Sequence, residues 1–245
     1  MNTDAILGAT DHRPWPLPRG PWVALQSWRE LLFAHWPIDL ATLRARVPLP
    51  LEIDTHEGRA WISVAAFRID PLRTRSLPVS MRFPELNLRT YVRHGGRAGV
   101  YFFSLDAASS AAVLGARTLF RLNYFNAAIH MRNRGGGIEF TSRRLDRPRA
   151  DFHAWYRPHG DTYVAVPGSL DAWLVERYCL FAAREQGRVF RVDIHHLPWV
   201  LQSAEARLGA TTLFTAAGLP APEGEPLLHY SLRQDTLTWG PDPED

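Results

Sequence analysis

No lysine occurs anywhere in the 245 residues, so all 28 basic side chains are arginine. A side-chain Schiff base with a carbonyl substrate needs a lysine amine, so that route is closed; the α-amino group is the remaining primary amine. Arginine stays protonated and grips carboxylates with a planar fork. Cysteine is almost absent too. Cys179 stands alone, no intramolecular disulfide can form, and a cytoplasmic location is the expectation. No run of about eighteen apolar residues is present, so neither a transmembrane helix nor a membrane partner is expected. The opening MNTDAILGATDHRPWP has no basic start and no long apolar stretch, and it does not read as a secretory leader.

Familiar chemical motifs are missing as well. The chain has no GxGxxG, no P-loop, no HExxH, no paired cysteines and no GxSxG, so no cofactor is expected and an α/β-hydrolase serine is not indicated. Gly135-Gly136-Gly137 lies between two strand-like runs, with no following helix to hold a phosphate. His195-His196 invites a metal reading, but neighbouring strand residues point to opposite faces, so no metal site is expected. The net charge is +3 and is spread along the chain. The densest basic cluster, Arg143, Arg144, Arg147 and Arg149, is too narrow for a nucleic-acid footprint and reads as a solvated strand end and turn. Cys179 sits among apolar residues, the setting of an inert buried thiol.

What is present is strand pattern. Phe83 to Ala107 forms the centre of the chain, with two strand-like runs flanking Gly95-Gly96, a hairpin signal because both glycines can take positive φ. In the first run Leu86, Leu88, Thr90 and Val92 share one face; Glu85, Asn87, Arg89 and Tyr91 share the other. A two-residue loop pairs His94 with Arg97. That register sets Arg89 opposite Phe102, Asn87 opposite Ser104 and Glu85 opposite Asp106. Such a polar row is a solvated surface if it faces outward, the commoner case for polar strand faces, and a ligand site if it faces the inside of a curved sheet.

Elsewhere the chain predicts an extended arm over residues 1–20, a strand or two within 22–36, a short helix Leu40–Val47 capped by Asp39, and a strand Arg59–Ile69. A long, proline-rich loop is expected over 70–84. A helix Ser109–Phe120 follows, then a turn at 123–126 and a second hairpin about Gly135-Gly136-Gly137. After a strand 150–157 comes a helix Leu170–Ala183 that buries Trp173 and Tyr178 and is stopped by Gly187. Strands at 188–196, 200–208 and 227–239 lead to a disordered tail, 240–245. Residues 1–245 thus read as one α+β, predominantly β domain: eight to ten strands in a large curved antiparallel sheet with about three peripheral helices.

The blocks SWRELLFAHWPID, LRARVPLPLEIDTHEGRAWISVAAFRI, FPELNLRTYV, GVYFFSLDA, ARTLFRLNYF, VERYCLF, HHLPWVLQ and LLHYS occur in this order. In them the chain resembles the YqjF-like family of uncharacterised bacterial proteins, domain of unknown function 2071, over about residues 22–239. That family is in turn similar to acetoacetate decarboxylase. The resemblance implies a cone or barrel with a central cavity, which in the enzyme is lined by a lysine pair, glutamates and an arginine. It implies that Glu85 matches one of those glutamates and Arg29 the arginine, and that the lysine pair falls near Tyr124 to Asn126, where this chain has no lysine. With the polar row turned inward, Glu85 becomes the candidate acid/base, Arg29 and Arg89 the carboxylate clamps, and Asn87 and Tyr124 hydrogen-bond partners. The expected ligand is a small organic acid or keto compound. Three readings stay open: a lyase or hydratase without imine chemistry, a non-catalytic binding or sensing protein, and an interaction protein with a filled sheet interior. No nucleic-acid partner is expected, and a symmetric homodimer is the default assembly.

Overall fold

The computed structural model describes residues 2–76, 80–183 and 188–244. Twelve strands make one sheet. They are β1 (Ala24–Ile38), β2 (Glu52–Ile53), β3 (Ala60–Thr74), β4 (Ser80–His94), β5 (Arg97–Ala107) and β6 (Tyr124–Arg134) in the first half. The second half supplies β7 (Gly137–Arg144), β8 (Asp151–Val164), β9 (Cys179–Ala183), β10 (Val189–His196), β11 (Val200–Leu208) and β12 (Leu227–Glu244). Five short helices attach to it: α1 (Thr3–Gly8), α2 (Leu40–Arg44), α3 (Ser110–Gly115), α4 (Leu170–Val175) and α5 (Leu213–Ala216), with a π-helical turn, Ala116–Phe120, continuing α3. No helix among the described residues is long and apolar enough to cross a membrane.

The strand order is β10-β9-β5-β6-β7-β8-β11-β12-β1-β3-β4-β2, and two further pairings, β10 with β12 and β5 with β4, fold the sheet back on itself. The result is two rings that share β12, β1, β3, β4 and β5. One is closed through β9 and β10, the other through β6, β7, β8 and β11. Strand alternation sends residues of the shared wall into both rings. On β1, Leu32, Ala34 and Trp36 join Phe140, Phe152 and Tyr156 in the core of the larger ring. Leu31 and Phe33 point the other way, toward Phe67, Val100 and Trp199. The larger ring is filled by its own side chains. The smaller one closes through only two parallel rungs, Val100–Leu180 and Tyr101–Phe181. Gly99 makes that closure feasible, because a Cβ there would lie 2.7 Å from the Cys179 carbonyl oxygen.

Both hairpins form as the sequence implies. Gly95 and Gly96 have φ of 54° and 76°, Gly135 and Gly136 55° and 76°, the positive pair that a two-residue turn matching strand twist requires. Other expectations are corrected. The sheet is mixed, not purely antiparallel, since β5 runs parallel to β6 and β9. Of the loop expected over 70–84, most is strand: β3 continues to Thr74, β4 starts at Ser80, and a register shift between Ile69 and Leu72 absorbs Pro71, while 77–79 lie outside the described residues. Residues 240–244 are not a disordered tail, because Pro241, Asp242, Pro243 and Glu244 pair with β10. The 1–20 arm carries α1 and is tied to β10: Arg13 donates to the Ile194 carbonyl at 2.6 Å and pairs with Asp193 at 3.2 Å, and His195 Nε2 lies 2.8 Å from the Ile6 carbonyl. The helix expected over 170–183 stops at Val175, and Cys179–Ala183 is strand β9. Tyr178 is buried, but Trp173 is only half-buried, its ring centroid 4.5 Å from that of Tyr91. Gly187, the expected stop of that helix, lies outside the described residues.

Candidate functional site

The smaller ring is hollow. It holds a cavity of about 200 Å³, walled by β1, β3, β4, β5, β9 and β10 and closed on one flank by α3 and its π-helical extension. The reading of a filled sheet interior therefore does not describe this ring.

The register of the shared wall stacks the interior side chains in rungs. At the floor lie His35, Ser63, Arg89 and Phe102, and one rung up Phe33, Ala65, Asn87 and Leu105. Phe67 and Glu85 make the third. Above them come Trp28 with Phe83, then Gln26 with Leu72 and Met81, and Ala24 with Thr74 at the rim. The polar row of β4 faces inward, yet the opposing strand is not in the simple hairpin register. A bulge between Leu88 and Arg89 shifts the pairing, so that Asn87 meets Leu105, Glu85 meets Ala107, and Asp106 stands opposite Leu86. One extra residue moves every later side chain to the other face. Ser104 and Asp106 thus leave the predicted row. Asp106 instead forms a buried ion pair with Arg144, Nε to Oδ1 2.8 Å.

Glu85 is 3% exposed. Tyr124, the first residue of β6 and not part of a turn, donates from its hydroxyl to Glu85 Oε2 at 2.9 Å. Burial pushes the Glu85 carboxyl up to about 8; the hydrogen bonds from Tyr124 and Asn87 pull against that, and Asp106 adds to it. A carboxyl so placed is largely protonated at neutral pH, so it can donate a hydrogen bond or a proton. Burial likewise raises the Tyr124 hydroxyl well above its ordinary value.

Arg89 lies at the floor, buried, with Nη2 donating to the Leu174 carbonyl of α4 at 3.2 Å and its guanidinium 4.8 Å from the centre of the Phe33 ring. Its Nε has no partner, and among the described residues no carboxylate pairs with it. Sequence reasoning missed its neighbour Arg177, which also lines the cavity. Arg177 Nη1 donates to Asp54 at 2.7 Å and Nε to the Trp173 carbonyl at 2.7 Å, while Nη2 is unpartnered. Asp54 pairs with Arg177 and, at 3.5 Å, with the more exposed Arg93, and leaves Arg89 without a carboxylate partner among the described residues. An arginine in the otherwise mostly apolar VERYCLF was the available signal for Arg177, and the helical reading of that stretch masked it. Arg29, the arginine implied by resemblance, is not in the cavity wall. It projects away from it, and its Nε donates to the Asp70 carbonyl at 2.9 Å.

At the floor a polar cluster closes the ring. His35 Nδ1 lies 2.6 Å from Ser63 Oγ, which is 2.7 Å from the Tyr91 hydroxyl, and His229 pairs with Asp171 at 3.1 Å. Burial holds both imidazoles below the usual histidine range. His195 and His196 point to opposite faces: His195 toward α1, His196 into the cavity wall. No group of three or more histidine, cysteine, aspartate or glutamate side chains among the described residues is placed to hold a metal ion. Cys179 is fully buried, and burial pushes its thiol up to about 12, so it is a poor nucleophile.

With no primary amine in this wall, incubation with acetoacetate and borohydride is expected to leave the mass of the chain unchanged away from its α-amino group. A stoichiometric reduced adduct mapped to an internal residue would contradict it.

The two-ring sheet around a cavity is an acetoacetate-decarboxylase-like fold. A solved structure of the enduracididine biosynthesis enzyme MppR, described as complexed with pyruvate, matches with a TM-score of 0.63 at 14% identity over 94% of this chain and 93% of that one. An acetoacetate decarboxylase from Legionella pneumophila gives 0.61 at 14% identity, over 94% and 92%. An acetoacetate decarboxylase-like enzyme from Sphingomonas wittichii gives 0.60 at 13%, over 96% and 98%. Within that fold the chain belongs to the DUF2071 family of uncharacterized conserved proteins, whose pattern matches residues 25–235. It is 49% identical over 226 residues to the uncharacterized protein YqjF of Bacillus subtilis, covering 91% of this chain and 93% of the relative.

Proposed function

We propose that the ring cavity binds a small organic acid or keto compound whose carboxylate sits on Arg89, and that Glu85 serves as acid/base in imine-free lyase or hydratase chemistry. The observation that carries this reading is the buried, unmatched charge of Arg89. Buried charges are ordinarily paired, and an incoming carboxylate supplies the missing partner. The protonated Glu85 carboxyl, two rungs away and joined to Tyr124, is set to donate to a carbonyl or hydroxyl oxygen of the same ligand. MppR, a distant fold neighbour, is described in complex with pyruvate, which is in keeping with a keto acid.

A panel of keto and hydroxy acids, screened by calorimetry and by product formation, tests it. Arg89→Gln is expected to weaken binding about 30-fold or more, the usual cost of removing one partner of a buried charge pair. Glu85→Gln is expected to retain binding and lose turnover. Binding with no turnover in the parent protein would make the chain a sensing or carrier protein. Equal binding by Arg89→Gln and the parent would refute the placement of the carboxylate.

A further inference from the structure

The cavity is polar at one end and apolar at the other. Arg89, Asn87 and Glu85 occupy the lowest three rungs of the shared wall. The next two rungs, toward the rim, present Trp28, Phe83, Leu72 and Met81. At this height β5 has ended at Ala107, and the flank is supplied by the π-helical turn, which contributes Leu119 and Phe120 to the wall. Gln26, on the rung of Leu72 and Met81, is the one amide among them, and Thr74 and Thr238 lie at the rim.

From this axial order we infer that the ligand is an amphiphilic monocarboxylate. Its carboxylate reaches Arg89, a hydrogen-bonding oxygen near the carboxyl end meets Glu85 and Tyr124, and an alkyl or aryl tail fills the chamber bounded by Trp28, Leu72, Met81, Phe83, Leu119 and Phe120. The inference rests on the carboxylate placement proposed above and adds the chemistry of the other end. The charges agree with it. Asp54 pairs with Arg177, Arg89 offers one unmatched positive charge, and Glu85 is uncharged near neutrality. A second carboxylate would lie in the upper chamber, where the wall offers no cation, only the Gln26 amide and tryptophan N–H groups, so a dicarboxylate is disfavoured. A bare two- or three-carbon acid would leave the chamber unfilled and forgo the burial it offers.

Calorimetric titration with straight-chain acids and the matching 2-oxo acids of two to eight carbons, alongside oxaloacetate and 2-oxoglutarate, tests the inference. Affinity is expected to rise about fourfold for each added methylene until the chamber is full, as about 0.8 kcal/mol per buried methylene converts. The dicarboxylates are expected to bind at least tenfold more weakly than monoacids of equal length. Met81→Trp and, from the π-helical flank, Ala116→Phe are each expected to flatten the gain with chain length; two variants are used so that a folding defect in one leaves the other to report. Short acids binding as tightly as long ones, or dicarboxylates binding as well, would overturn the amphiphilic ligand while leaving the carboxylate site on Arg89 standing. No binding by any acid, or affinities unchanged in Arg89→Gln, would overturn both.

Discussion

Asp106→Ala is expected to destabilise the fold by about 3–5 kcal/mol, the largest effect of any single substitution considered for this chain. Asp106 and Arg144 are both essentially inaccessible, with side chains 1% and 2% exposed, and their contact is 2.8 Å. Removing the carboxylate strands a guanidinium whose other links are a hydrogen bond to the Pro148 carbonyl at 3.3 Å and a position 4.2 Å from the centre of the Phe125 ring. Neither replaces a charge partner in a medium of low polarity. Burial already strains the pair electrostatically: it pushes Asp106 up to about 6, with Arg144 pulling the other way. Burying the pair thus costs nearly what their attraction returns, so the double variant Asp106→Leu/Arg144→Met is expected to recover most of the loss. Chemical denaturation of the three proteins settles the point. A single-variant loss below about 1 kcal/mol, or a double variant no better than the single, would show that the pair is screened by water.

The same residue marks how far the sequence could be read. The hairpin, its glycine turn and the inward set Glu85, Asn87 and Arg89 follow from alternation and turn chemistry, because a two-residue loop leaves little choice of register. The bulge between Leu88 and Arg89 was not legible. The run from Val100 to Leu105 is nearly all apolar, and a strand apolar on both sides carries no parity to show which residue is extra. Asp106 was therefore expected beside Glu85, and it lies in the other ring. The stretch 170–183 failed for a related reason. Its apolar spacing fits a helical stripe, but Cys179–Ala183 is a short apolar run that periodicity alone cannot tell from a buried strand, and only its pairing with β10 and β5 decides. With that strand missing from the reading, the ring could not be closed and Arg177 could not be placed at its floor. Prolines misled at 70–84 because Pro71 is taken up by a bulge, where a missing N–H disturbs no ladder. Arg29 entered by resemblance, and its position one residue along β1 from Trp28 turns it out of the cavity that Trp28 lines.

Relative to a Glu85→Gln variant, the parent is expected to lose stability as pH rises from about 6.5 to 8.5. Glu85 is an acid whose folded value, about 8, lies above its ordinary 4.5. Between those values the folded chain holds a proton that the unfolded chain has released. The stabilising effect of that proton is complete below about 4.5 and is lost as pH rises through 8, with a slope approaching ~1.4 kcal/mol per pH unit inside the window. The buried histidines act in the opposite sense at lower pH. His35, His196 and His229 are held below 6.5 and His195 is pushed down to about 4, so the unfolded chain takes up more protons and stability drops as pH falls below about 6.5. Asp106, raised to about 6, offsets part of that acid limb but does not act above it. The two limbs balance near pH 7, and the alkaline side belongs to Glu85. Glutamine keeps the shape and neutrality of the protonated acid without the titration, so in urea denaturation at pH 6.5, 7.5 and 8.5 the parent should lose about 2 kcal/mol relative to the variant, whose own pH dependence is that of the histidines alone. A parent and a variant whose stabilities change in parallel over that range would mean that Glu85 is ionised inside the ring, where it would act as a base and not as a proton donor.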